Sequence, residues 1–216
     1  MGGWTSKLPD MAPMRMAVLG AGSVRCSPRV IAALANYFGE RPMEICLFDV
    51  DEERLELFSR YARVCFTVTR SQNLVFECAD LDEAIEEVDL VIVQVGENCA
   101  RKYLASRPHL LGDLAIEQLD SAQAVASAAE DMVPARLIEQ GRVLSLIKPG
   151  APSVLHTCAS LAEWPPPLAD EERYKVPHQV LRWVRGEEFV TDWLAEHERT
   201  PLRGWLDEAI AAIALR

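Results

Sequence analysis

Apolar residues in the first half of the chain alternate between short continuous runs and helix-spaced stripes, a pattern that predicts repeated β-α-β units. An apolar strand from Met16 runs into the turn Gly20-Ala-Gly22, and Ser27 then caps a helix whose first residue is Pro28. Val30, Ile31, Leu34, Tyr37 and Phe38 share one face of that helix, which stops near Gly39. Residues 44–49 follow as a second buried strand. Residues 51–64 form an amphipathic helix with Leu55, Phe58 and Ala62 inward, and residues 74–78 a third strand. A short acidic helix over 81–88 leads into the apolar run 89–95, a fourth strand that ends at Gly96. Strands alternating with helices over short links give right-handed crossovers and a parallel sheet covered on both faces. Up to Gly96 the fold reads as a Rossmann-type half.

The second half repeats the alternation less cleanly. Residues 115–140 are helical, with Leu119, Ala122, Val125, Ala126, Ala129, Met132 and Val133 inward and Pro134 kinking or dividing the helix. Residues 142–147 return as a strand, and 153–158 form a further one after the turn residues 148–152. At Trp164 the style changes: Pro165, Pro166 and Pro167 make a stiff connector, and four of the five tryptophans lie from there onward. Phe189, Val190, Trp193 and Leu194 form one stripe. Thr200 and Pro201 start a last helix with Leu202, Trp205, Leu206, Ala209, Ile210 and Ile213 on one side. Such stripes need a partner surface, either the sheet domain or a second subunit in a homo-oligomer. The expected class is α/β, a Rossmann-type doubly wound, mainly parallel sheet with a small helical appendage. Its parts are a flexible leader over 1–14, a dinucleotide-binding domain over 15–163 and a tryptophan-rich appendage over 164–216.

Composition narrows the partners. With 216 residues, half of them hydrophobic, the chain can bury a substantial core. A net charge of −11 argues against nucleic acid or an anionic membrane surface as the main partner, since either would be repelled. The six cysteines include no CxxC pair and read as reduced, mostly buried thiols of a cytoplasmic protein. Residues 1–15 carry neither a secretory apolar region nor a membrane-spanning run.

The candidate chemistry lies at the carboxyl ends of the strands. Gly20 allows a tight turn, Gly22 lets a pyrophosphate approach the backbone, and the amides of Ser23, Val24 and Arg25 lead into a helix terminus that can hold negative charge. The third glycine of the dinucleotide fingerprint is missing, and Arg25 stands there. Asp49, at the end of the second strand, can accept from both ribose hydroxyls of an adenosine half and would repel a 2′-phosphate, which favours NAD over NADP. Asp51 competes for that role but is better placed to cap the next helix. Gly96 completes the constellation or is a simple turn residue. Carboxylate pairs such as Glu52/Glu53 and Glu86/Glu87 project apart on helices and mark solvated faces, as do Arg101, Lys102 and Arg107 unless they meet a phosphate.

The segments Gly20-Ala-Gly-Ser-Val-Arg with Ser27-Pro28, Leu47-Phe-Asp-Val-Asp-Glu-Glu-Arg-Leu55 and Val88-Asp-Leu-Val-Ile-Val-Gln94 together resemble the amino-terminal domain of the family 4 glycoside hydrolases. The resemblance covers residues 15–94 well, thins over 96–147 and is absent after Trp164. It implies NAD as cofactor, hydride transfer from a sugar hydroxyl followed by elimination of the glycosidic bond, and a divalent metal, commonly manganese, held by a Cys and a His. It also makes Arg25 a family trait.

The departures weigh against the glycosidase. The family's Arg-Val-Gly-Gly after the fourth strand is here Gln94-Val-Gly-Glu97, without the arginine, and its Gly-Gln-Glu-Thr loop has no counterpart around 114–119. Its Asn-Pro is replaced by Lys148-Pro149. Cys158 can be laid on the metal-ligating cysteine, but with His156 two residues away and no further ligand, a divalent metal such as manganese is not expected. Three roles follow. The first is an NAD-binding or sensing protein on a family 4 scaffold with its glycosidase machinery lost. The second is a diverged NAD-dependent oxidoreductase or glycosidase, acting on a sugar phosphate, that completes its site with the C-terminal helices or a second subunit. The third is a non-binding assembly scaffold in which Arg25 fills the pyrophosphate pocket.

Overall fold

In the computed structural model, which describes residues 12–37, 39, 41–146, 164–166 and 168–214, five strands run parallel. They are β1 (Met14–Leu19), β2 (Met43–Phe48), β3 (Leu74–Glu77), β4 (Leu90–Val93) and β5 (Val143–Ser145). Their order across the sheet is β3-β2-β1-β4-β5, so β1 is central and the chain reverses direction of winding between β1 and β4. Ala17 of β1 pairs with Cys46 on one side and Val91 on the other, which brings the carboxyl ends of β1, β2 and β4 to one level. All four residues of β4 are buried, whereas Leu74 and Phe76 of β3 are exposed at the sheet edge. A continuous apolar run is therefore the signature of the covered strands.

Alternate residues of β1 feed two cores. Met14, Met16 and Val18 pack toward α1 (Ser27–Ala35) and α2 (Glu52–Thr69), while Ala17 and Leu19 pack toward α3 (Leu81–Ile85), α4 (Glu97–Ala105), α5 (Ser121–Met132) and α6 (Ala135–Glu139). Pro134 divides α5 from α6 as its missing amide requires, and residues 116–118 form a separate short turn of 3-10 helix. The C-terminal helices α7 (Asp170–Val184), α8 (Thr191–Glu196) and α9 (Pro201–Ala214) lie over α1 and α2. Val180, Trp183, Leu194, Leu202, Trp205 and Leu206 join the same buried cluster as Leu34, Phe58 and Tyr61. This explains α1, which is not the one-faced helix that its stripe predicts: every residue in it except Arg29 is buried, between the sheet below and the C-terminal helices above.

Two further expectations need correction. Phe189 is 91% exposed and precedes α8, so the inward stripe there consists of Val190, Trp193 and Leu194. Ser27 does not cap α1; the cap position is Cys26, and the Ser27 hydroxyl is engaged elsewhere. The described cysteines Cys26, Cys46, Cys65, Cys78 and Cys99 are free thiols, all buried but Cys99. Among the described residues no helix is long and apolar enough to cross a membrane. The expected strand over 153–158, the turn before it and the leader through residue 11 lie outside the described residues.

Candidate functional site

The glycine turn leaves β1 at Gly20, whose φ of +79° is the left-handed conformation that side chains resist. The same glycine also allows a close approach: a Cβ here would sit 3.0 Å from the Gln94 carbonyl carbon and oxygen and from the Val95 amide nitrogen. The turn is then pinned to β2, because the Gly20 and Ala21 amides both donate to the Phe48 carbonyl at 2.9 Å. Gly22 is glycine for a related reason. A Cβ at Gly22 would fall 2.8 Å from the Arg54 Cβ and 2.9 Å from Asp49 Oδ2, so its first service is to let the turn close onto α2.

Asp49 fastens that closure. Its Oδ2 accepts the Gly22 amide at 2.8 Å and its Oδ1 accepts the Asp51 amide at 2.9 Å. A carboxylate has about four lone-pair sites, so each oxygen keeps capacity for one more donor. Burial pushes the Asp49 pKa above its ordinary 3.8, outweighing the two amides that stabilise the ionised form. Asp51 takes the part foreseen for it, capping α2 through the Arg54 amide at 3.4 Å. It also accepts Lys102 Nζ at 2.6 Å, an ion pair that ties α4 to α2 beside the turn. Burial alone would raise the Asp51 pKa, but Lys102 and Arg54 outweigh it and the pKa is lowered. The rest of the basic stretch is also engaged: Arg101 pairs with Glu97 at 3.1 Å, and the Arg107 guanidinium lies 4.1 Å over the Tyr103 ring.

At its tip the turn is half-buried over Ser23, Val24 and Arg25. The Ser23 amide returns to the Gly20 carbonyl at 3.0 Å, and the Ser23 hydroxyl accepts the Cys26 amide at 3.3 Å. Among the described residues the amides of Val24 and Arg25 have no acceptor, at the amino terminus of the nine-residue α1. The Arg25 side chain does not fill the turn. Its Nη2 donates to the Pro165 carbonyl at 2.6 Å, and its buried Nε has no partner among the described residues.

Gly96 is different in kind from Gly20 and Gly22. It is exposed, its φ of −95° is open to any residue, and a Cβ would meet nothing within 4 Å. Among the described residues no contact requires a glycine at this point, the N-cap of α4. One signal was missed in the sequence: Gln94, 2% exposed, donates to Ser27 Oγ and leaves its own Oε1 buried without a partner among the described residues. Such an orphaned oxygen costs about 1–3 kcal/mol.

The turn, Asp49 and the end of β4 thus converge at the point where the winding of the sheet reverses, the position at which open α/β sheets bind ligands. Free amides at a helix terminus, a carboxylate with acceptor capacity and an unobstructed Gly96 fit a group carrying phosphates and a ribose. No three His, Cys, Asp or Glu side chains converge as metal ligands among the described residues, and Cys158 and His156 lie outside them.

No curated protein matches the chain. Among solved structures it is similar to a 6-phospho-alpha-glucosidase from gut microorganisms in complex with NAD and Mn2+, at 16% identity and a TM-score of 0.39, over 62% of this chain and 38% of that one. It is also similar to a 6-phospho-beta glucosidase from Thermotoga maritima with manganese, NAD+ and glucose-6-phosphate, at 20% identity and a TM-score of 0.41, over 63% of this chain and 34% of that one. The chain thus spans little more than a third of the length of these relatives. Residues 15–132, over half of the sequence, match the family described as family 4 glycosyl hydrolase, and the chain belongs to that family.

Proposed function

We propose that this chain is a dinucleotide-binding protein on the family 4 scaffold, with NAD as its ligand and a binding or sensing role in place of glycosidase activity. The observation that carries this is the pair of amides at Val24 and Arg25, without an acceptor among the described residues, beside an Asp49 carboxylate that still has acceptor capacity. The amides of Val24 and Arg25 would hold the pyrophosphate, Asp49 the adenosine ribose, and Gly96 would let the cofactor pass close to the backbone. Gly20, Gly22 and Ser23 shape the turn that presents those amides. When bound, NAD supplies a hydride acceptor. Solved relatives that hold NAD and glucose-6-phosphate support the same ligand classes here. The sequence departures at Gln94-Val-Gly-Glu97 and 114–119 support the loss of the sugar-handling parts. Free thiols throughout the described residues suit a reducing, cytoplasmic setting.

Calorimetric titration and thermal shift test the proposal. NAD at a hundred times its dissociation constant should add ~2.7 kcal/mol to stability, and NADP should bind more weakly at matched ionic strength. Gly96→Ala should leave the melting temperature nearly unchanged while weakening NAD severalfold, since its Cβ meets no described atom within 4 Å and would stand in the path proposed for the cofactor. The absence of a shift with every nucleotide tested, NAD, NADH, NADP and AMP, rejects the proposal. Membership of a hydrolase family favours one competing role, an enzyme, which steady NAD reduction in the presence of a sugar phosphate would establish.

Asp49 gives binding a pH signature. Its native pKa lies above 3.8, so its contribution to stability is fully present below that ordinary value and is lost as the pH rises through the raised native one. Ribose hydroxyls donate to the ionised form, so affinity should move the other way. NAD should weaken as the pH falls, with an inflection above 3.8 that is absent in Asp49→Asn.

A further inference from the structure

Ser27 and Gln94 tie the entry of the turn, its exit and the end of β4 together through side chains. Ser27, fully buried at 0% exposure, donates its hydroxyl hydrogen to the Ala21 carbonyl at 2.5 Å and accepts from Gln94 Nε2 at 2.6 Å. Ala21 is at the entry of the turn, Ser27 at its exit as the first residue of α1, and Gln94 directly follows β4. The backbone of Gln94 also abuts Gly20, so this residue reaches the turn twice. Ser23 also spans the turn, its amide on the Gly20 carbonyl and its own oxygens on the Cys26 and Ser27 amides, but it does not reach β4. At the entry, Gly20, Ala21 and Gly22 bond to the end of β2, and at the exit Cys26 and Ser27 bond back to Ser23.

The direction of the relay is forced. A hydroxyl has one hydrogen, and Ser27 gives it to Ala21, so Gln94 must present its amide N–H, and its Oε1 has no partner among the described residues. A side chain selected for stability alone would be apolar here, since a buried amide with an unpaired oxygen is a cost that a hydrocarbon of the same shape avoids. We propose that Gln94 and Ser27 are positioning residues, whose relay holds the turn in the shape that presents the Val24 and Arg25 amides to a pyrophosphate. This deepens the dinucleotide-binding proposal and rests on it for the ligand.

Two variants, Ser27→Ala and Gln94→Met, test the relay; the second keeps the length and strands no oxygen, and it serves if the first fails to fold. Hydrogen exchange of the 20–26 backbone in the unliganded protein is one readout, and affinity for ADP-ribose against adenosine is the other. Both variants should exchange faster at 20–26 than wild type, with exchange in β1 and β4 unchanged. ADP-ribose should weaken by about five- to tenfold, as for one lost hydrogen bond, while adenosine, which lacks the pyrophosphate, holds its affinity. The double variant should be no worse than the poorer single one, because both break one relay. Unchanged exchange at 20–26, an equal loss for both ligands, or additive losses would overturn the inference. A wild-type protein that binds neither ligand, with the exchange effect intact, would instead reject the dinucleotide reading and leave the relay standing.

Discussion

Gly20→Ala is expected to cost about 2–5 kcal/mol, combining roughly 1–2 kcal/mol for a side chain in the left-handed region with about 1–3 kcal/mol for overpacking. Both penalties are visible at the residue. Its φ is +79°, and the new Cβ would stand 3.0 Å from three backbone atoms of Gln94 and Val95. Backbone atoms cannot rotate away as the end of a side chain can, so relief must come from moving the turn or the end of β4. Either movement would also disturb the Gly20 and Ala21 amides, which share the Phe48 carbonyl. At about 2–4 °C per kcal/mol for a protein of this size, the melting temperature should fall by roughly 4–20 °C. Gly96→Ala is the control, because its Cβ is unobstructed and its backbone is extended. If the two variants melt alike, the turn is softer than its contacts imply.

The strands and the glycine turn were legible because their signals are local. A strand covered on both faces must be a continuous apolar run, and β2 and β4 are such runs between polar ends. Asp51 was likewise readable as a cap, since an N-cap bonds an amide three residues ahead. What escaped is set by partners distant in sequence. Ser27 has the chemistry and position of a cap, yet its hydroxyl serves Ala21 and a glutamine 67 residues away. Gln94, a departure from a family motif, bonds Ser27 and abuts Gly20 at the turn. Gly22 was assigned to a ligand's approach, and the side chains that crowd it, Asp49 and Arg54, come from the neighbouring β-α unit. α4 carries only Ala100, Tyr103 and Leu104 as buried residues, too sparse a stripe to stand out between charged neighbours. The burial of α1 on nearly every side depended on helices that begin more than 130 residues later, which no local periodicity reveals.

Trp183→Ala should be the most damaging change in the C-terminal region, at about 3–5 kcal/mol, and it bears on whether residues 164–216 act as a separate appendage. Trp183, 8% exposed on α7, stacks on Tyr61 of α2 with ring centroids 5.7 Å apart and also meets Trp193, at 5.5 Å. Polar contacts lock the same stack to the sheet domain: Trp193 Nε1 donates to the Tyr61 hydroxyl at 2.8 Å, and that hydroxyl donates to the Pro28 carbonyl at 3.0 Å. Truncation would leave a cavity bounded on one side by α2, a rigid wall that cannot collapse inward. Because the C-terminal helices and α1–α2 share one buried cluster, the loss should lower a single unfolding transition instead of splitting off an early one. Phe189→Ala, at a side chain 91% exposed, should change stability by less than about 0.5 kcal/mol. Two separated transitions in Trp183→Ala, with the later one at the wild-type temperature, would mean that the tryptophan-rich helices dock on the sheet domain without sharing its cooperativity.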